Sequence, residues 1–160
     1  MFKLAVHTDL LGPDFNHALD VASELGIEHI KSRKAFGRPL GSFEGIQFPL
    51  AEHHCNIDAV KLQTYRAAWM MDKMYKKKGF THHDVSIAAA ISKLRAPIYG
   101  FELMNEVADW LGALGYTKEF PIEMGIRAIR SYSIGAEGTL NIMRIIIARE
   151  LLGKEFLPYR

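Results

Sequence analysis

The chain has 160 residues, 49% of them hydrophobic and 24% charged, a balance that suits one globular domain and is too apolar for a disordered segment. Twenty basic and 18 acidic side chains leave a formal charge of only +2, so no nucleic-acid partner is expected, because phosphate binding draws on clustered excess cations. No apolar run reaches the roughly 18 residues of a membrane span and no signal-peptide pattern opens the chain; with one cysteine, Cys55, the expectation is a soluble, cytoplasmic protein.

In chain order, the residues read as helices with short connections and no convincing strand. A leader, 1–13, precedes a first helix from about Asp14, a good N-cap, with Phe15, Leu19, Ala22 and Ile30 on one stripe and an end near Lys34. Gly37, Pro39 and Gly41 break the pattern. A long second helix starts near Ser42, with Ile46, Leu50, Ile57, Val60, Ala67 and Met71 spaced as a buried face. It ends at Gly79, and the run Met74 to Lys78 is its solvated, dipole-favoured last turn. Cys55 within it reads as a small core residue rather than a nucleophile.

Thr81 caps a third helix whose stripe is Ile87, Ile91, Leu94, Ile98, Phe101 and Ala108, with a kink or break expected at Pro97. Gly112 and Gly115 end it. A short helix over Pro121 to Ser131 and an irregular loop from Ser133 to Gly138 follow. Thr139 begins a last helix that buries Ile142, Ile145, Ile146 and Leu152. The reading is all-α, an antiparallel four-helix bundle over 14–155 with a tail at 156–160.

The histidine pairs His53-His54 and His82-His83 invite a metal, but adjacent helical residues point about 100° apart and do not chelate one ion from one face. No glutamate is followed by histidine three residues on, the spacing of bundle di-iron sites, so no metal is expected. Gly112-Ala113-Leu114-Gly115 follows a helix, whereas a dinucleotide loop follows a strand. Glu137 differs in kind. It lies between glycines in an apolar break, where a carboxylate is poised toward neutrality and can act as a general base. It reads equally as a loop glutamate favoured by the next helix's dipole.

Four stretches then occur together: Ser32 to Leu40; Gln47 to Glu52, ending Leu-Ala-Glu; Leu111 to Pro121; and Glu137-Gly138-Thr139 with Ile147 to Leu151. In their order and spacing the segment Asp14 to Glu155 resembles the C-terminal domain of acyl-CoA dehydrogenases. The resemblance implies a bundle that contributes to an FAD site and to the interface of a homo-oligomer, a dimer or tetramer. It implies Glu137 as the base that takes the alpha proton of an acyl-CoA thioester while hydride leaves the beta carbon. It implies FAD contacts for Arg33, Phe36, Gly112, Thr139 and Asn141, with Arg33 reaching the pyrophosphate of FAD bound mainly by a neighbouring subunit. N-terminal and middle domains of the family lie outside this chain and are its expected partners; alone it is expected to be inactive.

Several positions depart from the pattern. Asp109 stands for a glutamine, Ala113 for the second glycine of a Gly-Gly turn, Glu44 for a glutamine, and Gly135-Ala136 for an Ile-Tyr pair, in a loop one residue longer than usual between Arg127 and Glu137. No arginine occurs in the first thirty residues, where some members use one toward CoA. These departures motivate a second reading, a non-catalytic oligomerisation module.

Overall fold

The computed structural model describes residues 24, 26–135 and 138–158. Among these, nearly all regular structure is helical, as the apolar spacing dictates. Helix α1 runs over 26–32; its start near Asp14 lies outside the described residues. It stops at Ser32, before Lys34, where the Ser32 hydroxyl donates to the Glu28 carbonyl at 2.7 Å and the chain turns away.

The break after α1 contains what periodicity could not show, a two-residue ladder of β1 (Lys34–Ala35) against β2 (Arg38–Pro39), paired Lys34 to Pro39 and Ala35 to Arg38. Strands this short carry no alternation to read. A 3-10 turn over Leu40–Ser42 leads into α2, Glu44–Tyr75. Phe43, not Ser42, sits at the cap position, its carbonyl accepting from Ile46 and Gln47 at 2.9 and 3.0 Å.

Helix α2 ends at Tyr75, short of Gly79, so Lys76 to Lys78 lie beyond the last helical residue. Lys77 takes the left-handed conformation (φ 54°), with Lys78 N–H donating to the Lys73 carbonyl at 2.8 Å and Lys77 N–H to that of Met74 at 2.9 Å. That is a Schellman closure with lysine in the position usually held by glycine. Thr81 and Asp84 form a reciprocal capping box at the start of α3 (His82–Leu111): the Asp84 carboxylate accepts from Thr81 N–H at 2.8 Å and from its hydroxyl at 2.7 Å, and Asp84 N–H donates to that hydroxyl at 3.2 Å. The hydroxyl bond, then the backbone bond, hold the Asp84 carboxyl below its ordinary value. The helix passes through Pro97 without a break. Proline removes a single N–H, and the rest of the 30-residue ladder carries the chain across.

Helices α4 (Ala113–Tyr116), α5 (Ile122–Ile134) and α6 (Leu140–Leu152) follow. Pro121 precedes α5 rather than opening it, its carbonyl accepting from Gly125 N–H at 2.9 Å, and α5 continues to Ile134, a turn beyond the expected end.

The described residues form two compact units: those up to Asn56 with Gly100–Ile129, and Ile57–Tyr99 with 130–158. The first is built on Ile30, Met104, Val107, Trp110, Leu111, Ile129 and the fully enclosed Ile122. The second has Ala67, Met70, Val85 and Ala88, with Phe80 against them. In it the ring nitrogen of His83 meets the carboxylate of Glu150, tying the first turn of α3 to α6.

The expected α3 stripe, Ile87 to Ala108, is only half-buried. The buried positions are Val85, Ala88, Ala90, Pro97, Met104, Val107, Trp110 and Leu111, since the helix is apolar nearly all round and its stripe is ambiguous by a residue. Cys55 is exposed rather than in the core. On α6, Met143 is buried, whereas Ile142 and Leu152 lie open with Leu151 beside them. No helix among the described residues is long and apolar enough to cross a membrane.

Candidate functional site

The expected site residues fall in both units. In the first, Arg33 brackets the hairpin. Its N–H donates to the His29 carbonyl at 2.7 Å, closing α1, and its carbonyl accepts from Leu40 N–H at 2.8 Å, closing the turn. Its guanidinium side chain is exposed. Phe36 and Gly37 are the central turn residues, with φ 50° and 82°, the positive pair of a type I′ hairpin. Glycine suits that conformation; an aromatic there stores about 1–2 kcal/mol of strain.

Phe36 is 96% exposed, its ring edge-on to Phe43 at 6.3 Å, and the Arg38 guanidinium covers Phe43 at 4.1 Å. Replacing Phe36 by Asn, the residue type I′ turns favour, is expected to raise the chain's stability in urea by about 1 kcal/mol, since almost no burial is lost. A loss of more than that would mean the ring supports the fold.

Also in the first unit, Gly112 (φ 59°, ψ −130°) turns the chain from α3 into α4. A Cβ there would meet nothing within 4 Å, so conformation alone requires glycine. With Asp109, Tyr116, Lys118 and Glu123 it lines an open depression of about 680 Å³. Asp109, Ala113 and Glu44 are all exposed.

In the second unit the α5–α6 connection carries the remaining candidates. Ala136 and Glu137, the proposed base, lie outside the described residues. The segment just before them is anchored: Gly135 N–H donates to the Ser131 carbonyl at 2.8 Å, and its own carbonyl accepts from Lys93 Nζ at 3.3 Å. The same ammonium sits 5.2 Å from the Tyr132 ring centre. Thr139 caps α6, its hydroxyl accepting from Ile142 N–H at 3.5 Å.

Thr139 and Asn141 come together in an open depression of about 180 Å³ with Arg130, Ser133 and Arg144; Arg144 Nη1 donates to Asn141 Oδ1 at 2.8 Å. Two guanidinium groups beside a helix N-terminus suit an anionic group such as a phosphate. Arg130, Arg144 and Lys93 were missed from sequence. The three-residue step from Asn141 to Arg144 was the available signal for one of them. Among the described residues, no group of three or more His, Cys, Asp or Glu side chains could hold a metal.

Comparison with known proteins decides the lineage. The family profile "Acyl-CoA dehydrogenase, C-terminal domain" matches residues 17–152. The chain belongs to the acyl-CoA dehydrogenase family. It is 36% identical over 131 residues to a probable acyl-CoA dehydrogenase, YngJ, of Bacillus subtilis, covering 82% of this chain and 32% of that protein. It is 35% identical over 156 residues to the mitochondrial short-chain specific acyl-CoA dehydrogenase of Bos taurus, covering 94% and 36%. Butyryl-CoA dehydrogenase from Megasphaera elsdenii superposes with a TM-score of 0.70 at 30% identity, over 84% of this chain and 34% of that one.

The chain thus spans about a third of the length of the acyl-CoA dehydrogenases it matches. Its fold is the all-α bundle of the C-terminal domain, in agreement with the four matched sequence stretches.

Proposed function

We propose that this chain is the C-terminal domain of an FAD-dependent acyl-CoA dehydrogenase in which Glu137 is the general base. The observation that carries the reading is the family match over 17–152, within which Glu137-Gly138-Thr139 stands directly before the capped helix α6. The donors present fit the cofactor: Arg130 and Arg144 at the α6 N-terminus suit phosphate oxygens, and the outward ring of Phe36 suits a flat cofactor surface. Gly112, Thr139 and Asn141 are assigned to cofactor contact, and Arg33 and Phe36 to FAD bound mainly by a neighbouring subunit. FAD, when bound, supplies the hydride acceptor for the beta carbon of the substrate.

This chain's part in the reaction is proton removal. Glu137 accepts the alpha proton of an acyl-CoA thioester, a step eased by donors that polarise the thioester carbonyl. Lys93 positions the loop by holding the Gly135 carbonyl two residues before Glu137. The partners are the N-terminal and middle domains of the same enzyme and sister copies in a dimer or tetramer.

Co-expression with those domains tests the whole reading. The expected product is a yellow assembly that bleaches when acyl-CoA is added, while the chain alone does neither. A colourless assembly that still forms would overturn the catalytic reading. It would support the oligomerisation module instead, which the exposed carboxylate of Asp109, in the depression lined by Gly112, favours by repelling phosphate.

A further inference from the structure

The turn between α2 and α3 gathers the excess positive charge of the chain. Residues 72–78 hold four lysines, Lys73, Lys76, Lys77 and Lys78, and a single acid, Asp72, a net +3, whereas the whole chain carries only +2. All other residues together therefore carry −1. Lys76 Nζ donates to the Asp72 carboxylate at 2.8 Å, so one of the four is neutralised. Lys73, Lys77 and Lys78 form no ion pair among the described residues. Of the acids that follow on α3 and α6, Asp84 is taken up by its cap with Thr81 and Glu150 by His83.

The geometry selects the partner. Tyr75 to Gly79 are five consecutive exposed residues, Tyr75 by 66%. Lys77 stands at φ 54°, where glycine would fit more easily, and a Cβ on Gly79 would meet nothing within 4 Å. At the base of the turn the Trp69 ring lies edge-on to Phe80 at 5.3 Å, with Lys73 Nζ 5.7 Å from its centre. None of these lysines lines the depressions around Gly112 and Thr139. A small phosphate ligand is held by donors that converge on it, whereas ammonium groups spread over an outward turn match an extended sheet of negative charge. A folded acidic protein would draw its affinity from a buried apolar centre, and the turn offers one exposed ring. That ring is a tyrosine, whose apolar body and polar tip suit the headgroup level of a bilayer.

We infer that the α2–α3 turn is a docking site for an anionic phospholipid surface, with Lys73, Lys77 and Lys78 against the headgroups and Tyr75 among them. The contact is peripheral, as no helix among the described residues is long and apolar enough to cross a membrane. It involves none of the residues assigned to the cofactor and holds whether or not Glu137 is the base.

Vesicle co-sedimentation of the chain tests it. The chain is expected to sediment with vesicles of phosphatidylserine and phosphatidylcholine in equal parts, not with pure phosphatidylcholine, and to be released as salt rises. Lys77→Gly separates binding from folding: glycine suits the backbone there, so the midpoint in urea should hold or rise while vesicle binding falls about fivefold. Lys77→Glu with Lys78→Glu should weaken binding by more than about tenfold. Lys61→Glu makes a like charge change on the exposed side of α2 about 18 Å from Lys73, beyond the screening length of about 8 Å, and should leave binding nearly unchanged. A chain that ignores the mixed vesicles, or binds both kinds alike, overturns the proposal, as does binding that survives the double glutamate variant. Displacement by inorganic pyrophosphate at matched ionic strength would make the turn a site for soluble phosphates instead. Binding to polyglutamate as tight as to the mixed vesicles would make it a site for an acidic protein, and either result also overturns the lipid reading.

Discussion

Gly115→Ala is expected to be the most damaging small substitution in the chain. A Cβ on Gly115 would lie 2.3 Å from the Ala108 carbonyl oxygen, 2.8 Å from its Cα and 2.9 Å from its carbonyl carbon. All three are backbone atoms of α3, so no rotamer change relieves the contact, and α4 must move off α3. Overpacking of this kind costs up to about 3 kcal/mol and sometimes more, which for a domain of this size lowers the melting temperature by roughly 6–12 °C.

Two other glycines calibrate the expectation. At Gly125 the added Cβ would meet the Met104 Cε at 2.3 Å, but that is the end of a flexible side chain, so Gly125→Ala should cost about 1 kcal/mol. At Gly45, inside α2, nothing lies within 4 Å, and alanine should stabilise by up to about 1 kcal/mol through helix propensity. Urea denaturation of the three variants gives the ranking directly. A Gly115→Ala midpoint equal to wild type would mean that α4 does not pack on α3 as described.

That close packing was invisible in the sequence, where Gly115 read simply as a helix stop. Local rules found the start of α3, because Thr81 and Asp84 carry a capping box, and the start of α6, because Thr139 is a good cap. They missed the hairpin, since Phe36 occupies a left-handed turn position where the usual signal is Asn or Gly. They placed the end of α2 at Gly79 because Lys77, not a glycine, closes it.

Periodicity identifies an apolar face and leaves open what covers it. Ile142 and Leu152 on α6, and Leu62 and Trp69 on α2, are apolar at helical spacing yet exposed in the isolated chain. A chain that makes up about a third of its relatives' length has reason to show such faces. The assignment of Thr139 and Asn141 to the cofactor rests on family resemblance; both line the depression at the start of α6. Arg130 and Arg144 were not legible, because on a helical wheel they look like ordinary surface cations. Arg130 on α5 and Arg144 on α6 line the same depression.

The largest effect on activity is expected from Glu137→Gln in the assembly reconstituted with the proposed N-terminal and middle domains. Glutamine keeps the shape and one acceptor but cannot take a proton, so the change isolates base function from packing. General-base removal costs about 10²–10⁴ in rate, equivalent to about 3–5.5 kcal/mol of transition-state stabilisation. The loss should fall on kcat, with KM for acyl-CoA and the bound flavin content nearly unchanged, because the residues proposed to contact the cofactor are untouched. Lys93→Met provides the complementary arm. It removes the donor to the Gly135 carbonyl while keeping the length of the side chain, and so should lower kcat less than Glu137→Gln does, without removing the base. If Glu137→Gln bleached flavin at the wild-type rate, proton removal would have to be reassigned to a residue of another domain, and the C-terminal chain would be left with cofactor binding and assembly as its part in the enzyme.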